Sequence, residues 1–171
     1  MSSPVRSVSA PDSGVQQPSA SERFLAGAEA LGLAPEILRY PEGTRTAEQA
    51  AAAVDCELGQ IVKSLVFLCD GEPVLALTSG ANRVDTKRLG RVFGGKISRA
   101  DADGVREATG YAIGGTPPFG HAQPLRAVVD PGLLAYATVW AAAGTPDTVF
   151  ELTPEQLVQA SGAGVADFAA D

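Results

Sequence analysis

Two apolar runs, Ser64–Cys69 and Pro73–Thr78, are separated by little more than Asp70-Gly71, and this segment constrains the fold more than any other. Asp-Gly supplies the left-handed backbone that a tight hairpin turn requires. Both faces of each run are largely apolar, so each strand must be covered twice. A central hairpin is predicted rather than one at a sheet edge.

The flanking segments fall into short periodic pieces. Ser21, followed by Phe24, Leu25, Ala28 and Leu31, predicts a capped amphipathic helix ending at Gly32. Ile37 to Tyr40 reads as a short strand. Thr46-Ala47-Glu48-Gln49 resembles a capping arrangement and opens an alanine-rich helix to about Val54. Asp85 to Phe93 reads as a basic helix stopped by Gly94-Gly95, and Asp101 caps another to about Thr109. Tyr111–Ile113, Leu125–Asp130, Val139–Ala142 and Thr148–Leu152 read as strands, and Thr153 caps a last helix through Ala160. The connections look too short for regular parallel crossovers. They predict a mixed α/β (α+β) domain over residues 21–171 with a largely antiparallel sheet. Residues 1–20 show no period and are expected to form a disordered leader outside the fold.

Apolar residues make up 45% of the 171 and charged residues 19%, which suits a globular chain with a proper core. No apolar run approaches the roughly 20 residues that span a bilayer, and no signal pattern opens the chain. A soluble, cytoplasmic protein without a membrane partner is expected. The formal net charge of −7 argues against generic nucleic-acid coating, and no DNA partner is expected. That charge is unevenly spread. Residues 63–99 hold seven bases (Lys63, Arg83, Lys87, Arg88, Arg91, Lys96, Arg99) against three acids, while the remainder holds six bases against 17 acids. A basic face on an acidic body suits docking to one defined polyanion, although a solvated helix face has the same composition.

Few residues offer chemistry. His121 is the single histidine, and Cys56 and Cys69 form no CxxC pair, so a zinc site of the usual kind cannot be assembled. Neither a metal nor a cofactor is expected. Cys69, within an apolar strand, reads as a buried free thiol. There is no G-x-S-x-G elbow, and Ser79-Gly80 has no histidine nearby in sequence. Gly90 to Lys96 matches the opening of a phosphate-binding loop, but Ile97 stands where Ser or Thr would bind magnesium. A helix also precedes the segment and a strand follows it, so the match is rejected.

Two features remain. Lys63 alternates with Leu65 and Phe67 and is read as pointing to the interior side of the sheet, where an ammonium is costly unless paired or open to a cleft. A phosphate or carboxylate there would satisfy it; a lysine snorkelling from the strand's start is the plainer alternative. The loop Gly114-Gly115-Thr116-Pro117-Pro118-Phe119-Gly120-His121 combines close backbone approach with stiffness, and its free amides suit an oxyanion or a water. His121 is a possible general base, or a hydrogen-bonded structural group.

Three blocks carry a family likeness: Gly59-Gln60-Ile61-Val62-Lys63-Ser64-Leu65-Val66-Phe67, Ser79-Gly80-Ala81-Asn82-Arg83-Val84-Asp85-Thr86-Lys87-Arg88-Leu89, and Thr109-Gly110-Tyr111-Ala112-Ile113-Gly114-Gly115 through His121. They resemble the YbaK/EbsC family of free-standing aminoacyl-tRNA deacylases related to the editing domain of prolyl-tRNA synthetases. The likeness runs from about Glu22 to about Val165. It implies a curved sheet or open barrel surrounded by helices, and a trans-editing hydrolase of mischarged tRNA, of the tRNA(Pro) type with a small amino acid. The alternative is a non-catalytic tRNA- or nucleotide-binding module of the same fold.

The resemblance also implies site roles. Lys63 would engage the phosphate at the tRNA 3′ end, and Gly114, Gly115 and Thr116 would serve the ester. Pro118, Phe119, His121, Ser79, Gly80 and the Gly144-Thr145 turn would surround the substrate. Arg83, Lys87, Arg88 and Arg91 would meet tRNA. The implied partners are the aminoacyl-tRNA acceptor end and an aminoacyl-tRNA synthetase presenting it. Ala122, Gln123 and Asp147 stand where the Cys-tRNA-clearing members carry basic residues, so that specificity is not carried over. Alanine, serine and threonine remain open.

Overall fold

The computed structural model describes residues 5–6 and 19–171. Its elements are β1 (Val5–Arg6), α1 (Ala20–Ala30), β2 (Leu38–Arg39), α2 (Ala47–Val54), β3 (Val62–Cys69), β4 (Glu72–Ser79), α3 (Thr86–Phe93), β5 (Ile97–Arg99), α4 (Ala102–Thr109), β6 (Arg126–Val129), β7 (Val139–Ala142), β8 (Thr148–Leu152), α5 (Pro154–Ser161) and β9 (Gly164–Val165). Single 3-10 turns precede β3 and β7.

The hairpin forms as read. Asp70 and Gly71 both hold positive φ, 50° and 85°, as a two-residue turn with the sheet's own twist requires. β3 lies between β4 and β5, and β4 between β3 and β6, so both strands are central. Helix ends follow their side chains. Thr46 and Gln49 form a reciprocal capping box on α2, as Thr153 and Gln156 do on α5. Asp85 accepts from the amides of Lys87 and Arg88 at the start of α3, and Gly94 closes that helix at φ 79°.

The fold is the expected mixed α/β domain, with two sheets that do not close. One has the order β5-β3-β4-β6-β9 and the other β1-β2-β8-β7. Most pairs are antiparallel, but β4 pairs with β6, and β6 with β9, in parallel. The parallel pair was not anticipated from connection lengths. Its crossover is one long excursion, residues 80–125, which carries α3, β5 and α4. An isolated bridge from Ile61 to Trp140 ties the sheets together at one end.

Two expectations differ from the structure. Tyr111–Ile113 is no strand. The Thr109 hydroxyl accepts from the Tyr111 amide and Gly115 donates to the Ala112 carbonyl, so local bonds turn this apolar stretch before a ladder can take it. Ser19, accepting from the Glu22 amide, caps α1 in place of Ser21, which is buried inside the helix. Within the segment read as a leader, Val5–Arg6 pairs with β2, and Ala20 opens α1 behind its Ser19 cap. Residues 1–4 and 7–18 lie outside the described residues.

The main core fills one face of the five-stranded sheet, with Val62, Val66, Leu75, Leu77 and Val129 packed against Phe24, Phe119 and Phe150. A smaller cluster of Ala76, Leu89, Val128 and Phe168 covers the other face under α3. Phe67 packs with this second cluster. Strand alternation therefore puts Lys63 and Leu65 on the α3 side, opposite the main core. The apolar neighbours of Lys63 were a poor guide because both faces of β3 are covered.

A cationic cavity beside the free edge of β3

β5 pairs with only the far end of β3, at Phe67, Leu68 and Cys69, while Trp140 meets the near end at Ile61. Between these contacts, residues 62–66 have no strand partner on that side among the described residues. The sheets splay there and leave a cavity of about 500 Å³ alongside β3. Its wall is mostly apolar, with Val62, Val66, Val105, Ala141 and Val149 prominent. Three of its lining residues, Arg45, Lys63 and Arg99, carry positive charge, and none of the described lining residues is acidic. Such a site favours a ligand with an anionic end and a small apolar or weakly polar body.

Lys63 is half-buried, and its Nζ donates to the Asn82 carbonyl oxygen at 2.6 Å. Burial lowers its pKa from the ordinary 10.5, with Arg83 adding to the fall while Glu48 and Asp130 oppose it. One N–H on a neutral carbonyl leaves two donors and the full charge for an incoming anion.

Gly114 and Thr116 line the same cavity. Gly114 holds φ 88°, and the Thr116 hydroxyl donates to the Ala112 carbonyl, which closes the turn. The Gly115 amide is taken by that carbonyl too, so it is not a free donor as the sequence suggested. The amides of Gly114 and Thr116 have no acceptor among the described residues, and Pro117 and Pro118 have no amide hydrogen. Gly115 instead serves packing. Its carbonyl accepts from the Gly144 amide at 3.0 Å, and a Cβ on Gly115 would lie 2.8 Å from the Thr145 Cα. The Gly144-Thr145 turn therefore braces the loop from behind.

Other anticipated residues sit away from the cavity wall. Phe119 is buried in a ring cluster with Phe24 and Phe150, at centroid distances of 5.4 and 5.8 Å. Pro118 is buried beside it. His121 Nε2 lies 2.7 Å from the Pro117 carbonyl oxygen, and burial lowers its pKa. Ser79 and Gly80 form a structural turn, in which the Ser79 hydroxyl donates to Gly59 and the Gly80 amide to Ile61. Cys69 is a buried free thiol as read, and burial with neighbouring Asp55, Glu151 and Glu57 raises the pKa of Cys56.

Among the basic residues, the Arg88 guanidinium is held by the Ala169 carbonyl and the Asp171 carboxylate. Lys87 and Arg91 are exposed and, with Lys96, border a second groove beside Gly90, Gly94 and Gly95. This groove occupies the segment that mimicked a phosphate-binding loop. Here Gly94 and Gly95 follow a helix C-terminus, whose dipole does not favour anions, so the side-chain cations must supply the charge. Lys96 and Arg99 were read only as part of the basic segment, and Arg45 and Trp140 escaped the sequence reading. Arg45 and Trp140 are far from the basic segment in sequence, and only the splay of β7 from β3 brings them together.

A profile described as the aminoacyl-tRNA editing domain matches residues 41–160 of this chain. An uncharacterized protein of Bacillus subtilis (strain 168), YwhH, is 34% identical over 127 residues, 74% of this chain and 81% of that protein. A proline–tRNA ligase of Maridesulfovibrio salexigens is 35% identical over 79 residues, which are 46% of this chain and only 14% of the ligase. A crystal structure described as that of a candidate trans-editing enzyme for prolyl tRNA synthetase superposes with TM-score 0.86 at 44% identity, covering 91% of this chain and all (100%) of the other.

Proposed function

The chain belongs to the family of aminoacyl-tRNA editing domains, and we propose that it is a trans-acting deacylase that hydrolyses the ester of mischarged tRNA. The carrying observation is one cavity lined both by Lys63 and by Gly114 and Thr116, whose amides have no acceptor among the described residues. In this reading Lys63 grips the phosphate next to the terminal adenosine, with Arg45 and Arg99 adding charge. The amino acid lies against the apolar wall. The amides of Gly114 and Thr116 face the carbonyl oxygen and stabilise the oxyanion as it forms.

No His, Cys, Asp or Glu lines the cavity among the described residues. The attacking oxygen is then that of a water held near the carbonyl, with the neighbouring ribose hydroxyl of the substrate able to help orient it. The water oxygen bonds to the carbonyl carbon, the ester C–O bond breaks, and the water's proton goes to the departing ribose oxygen. An aminoacyl ester is already activated, and immobilisation beside the nucleophile can supply much of the acceleration. The exposed cations Lys87, Arg91 and Lys96, with Arg83, take the acceptor-stem backbone. The likeness to prolyl-tRNA synthetase relatives points to tRNA(Pro) carrying a small amino acid, acted on in the cytoplasm, with a synthetase as a partner that presents the tRNA.

The test is release of amino acid from a panel of mischarged tRNAs, with wild type and Lys63→Ala side by side. Turnover of at least one ester by wild type, lost in Lys63→Ala, is expected. Normal turnover by Lys63→Ala removes the anchoring role. Binding to every tRNA with no release makes the chain a binding module instead.

A further inference from the structure

Asp130 follows β6, is only 2% exposed, and collects three donors. Its Oδ2 accepts from the Ser79 amide at 3.1 Å and from the Asn82 side-chain Nδ2 at 2.8 Å, and its Oδ1 from the Gly132 amide at 2.8 Å. Asn82 is held a second time, its amide donating to the Ser79 carbonyl at 2.9 Å. The carbonyl of this doubly tethered residue is the acceptor for Lys63 Nζ.

We propose that Asp130 is the positioning residue for Lys63, acting through Asn82 to fix the carbonyl on which the ammonium rests. The indirect arrangement has a chemical purpose. A carboxylate bonded directly to Lys63 would neutralise it, and an incoming phosphate would have to break an ion pair. A carbonyl aims the ammonium without cancelling its charge, while Asp130 offsets part of the desolvation that favours the neutral amine. The charged groups that bear on Lys63 are Glu48 of α2, Arg83 just after Asn82, and Asp130. Glu48 is exposed, and its charge is screened by solvent. Asp130 is buried in the hydrogen-bond chain itself.

The role in anchoring substrate rests on the proposed deacylase reading, so the test reads Lys63 directly. The protein is labelled with 15N-lysine, and the Lys63 Nζ signal is assigned by its loss in Lys63→Ala. In Asp130→Asn the Lys63 pKa is expected to fall further. In Asn82→Ala the charge stays and the tether goes. There the pKa is expected to stay as in wild type, while the Nζ protons lose protection from exchange. Both variants should then bind an uncharged RNA minihelix ending in CCA about tenfold more weakly than wild type.

Variants that lower the Tm but leave the Lys63 pKa and proton exchange as in wild type make Asp130 a purely structural cap and overturn the proposal. If Asp130→Asn does not fold, Asn82→Ala decides through the exchange of the Nζ protons. If Lys63→Ala binds the minihelix as wild type does, phosphate anchoring fails, and the Lys63 resonance still judges the positioning claim.

Discussion

Gly115 and Gly144 meet backbone to backbone, the amide of Gly144 donating to the carbonyl of Gly115 at 3.0 Å. The contact excludes a side chain on either partner, because a Cβ on Gly144 would lie 2.7 Å from the Ala20 carbonyl oxygen. The loop of the cavity, the turn behind it and the start of α1 are therefore stacked without side chains between them. That closeness fixes where the Gly114 and Thr116 amides point.

Gly115→Ala should consequently push the loop off its brace. A destabilisation of about 1–3 kcal/mol is expected in denaturant unfolding. Deacylation should fall further than stability explains, since a shift of about 1 Å at the ester can cost 100-fold. Wild-type turnover by a folded Gly115→Ala protein would contradict this account of the loop.

Phe119 packs in the core with Phe24 and Phe150. Phe119→Ala is expected to cost about 3–5 kcal/mol in unfolding free energy. Phe119→Leu, which keeps most of the volume, should restore most of that stability and leave KM near wild type. A large KM increase in a stable Phe119→Leu protein would return the ring to the binding site.

The single histidine makes a clean pH test. Burial lowers the folded pKa of His121 below 6.5. The unfolded chain then binds the proton more readily, so stability is complete above about pH 6.5 and declines as pH falls toward the folded value. Below the folded pKa the histidine-linked decline stops. The Tm of His121→Gln should be flatter across that window than that of wild type. Parallel Tm curves would show that His121 does not titrate as its burial implies.

The alkaline side reports on Lys63. Its lowered pKa means that charge, and with it minihelix affinity, should fade below the ordinary lysine value of 10.5. Arginine stays charged throughout, so Lys63→Arg should flatten that limb even if it binds more weakly overall. An alkaline limb unchanged in Lys63→Arg would assign the titration to another group.

The second groove and Arg88 make opposite predictions. Removing Lys87, Arg91 or Lys96 should weaken minihelix binding and reduce the slope of log K against log salt by up to about 0.9 each. Arg88→Ala should lower the Tm by releasing Ala169 and Asp171, with a smaller effect on the salt slope. A full loss of slope in Arg88→Ala would place that guanidinium on RNA.

Local chemistry alone determined most of the elements. Asp70-Gly71 must turn, Thr46 with Gln49 and Asp85 must cap, Gly94 must stop α3, and Val139–Ala142 and Thr148–Leu152 became strands with the limits read from sequence. The three motif blocks determined the family, and with it the cavity residues Lys63, Gly114 and Thr116. Tertiary structure decided what depends on neighbours distant in the chain. It chose the face of Lys63, because alternation reports two faces but cannot say which is covered by the larger core. It spent the Gly115 amide on Ala112, buried Phe119 with Phe24 and Phe150, and tied Arg88 to Asp171. It brought Arg45 and Trp140 to the rim, and Asn82 with Asp130 to the ammonium. A hydrogen bond is fixed by which donors and acceptors remain unpaired once the chain has packed, and no segment carries that information by itself.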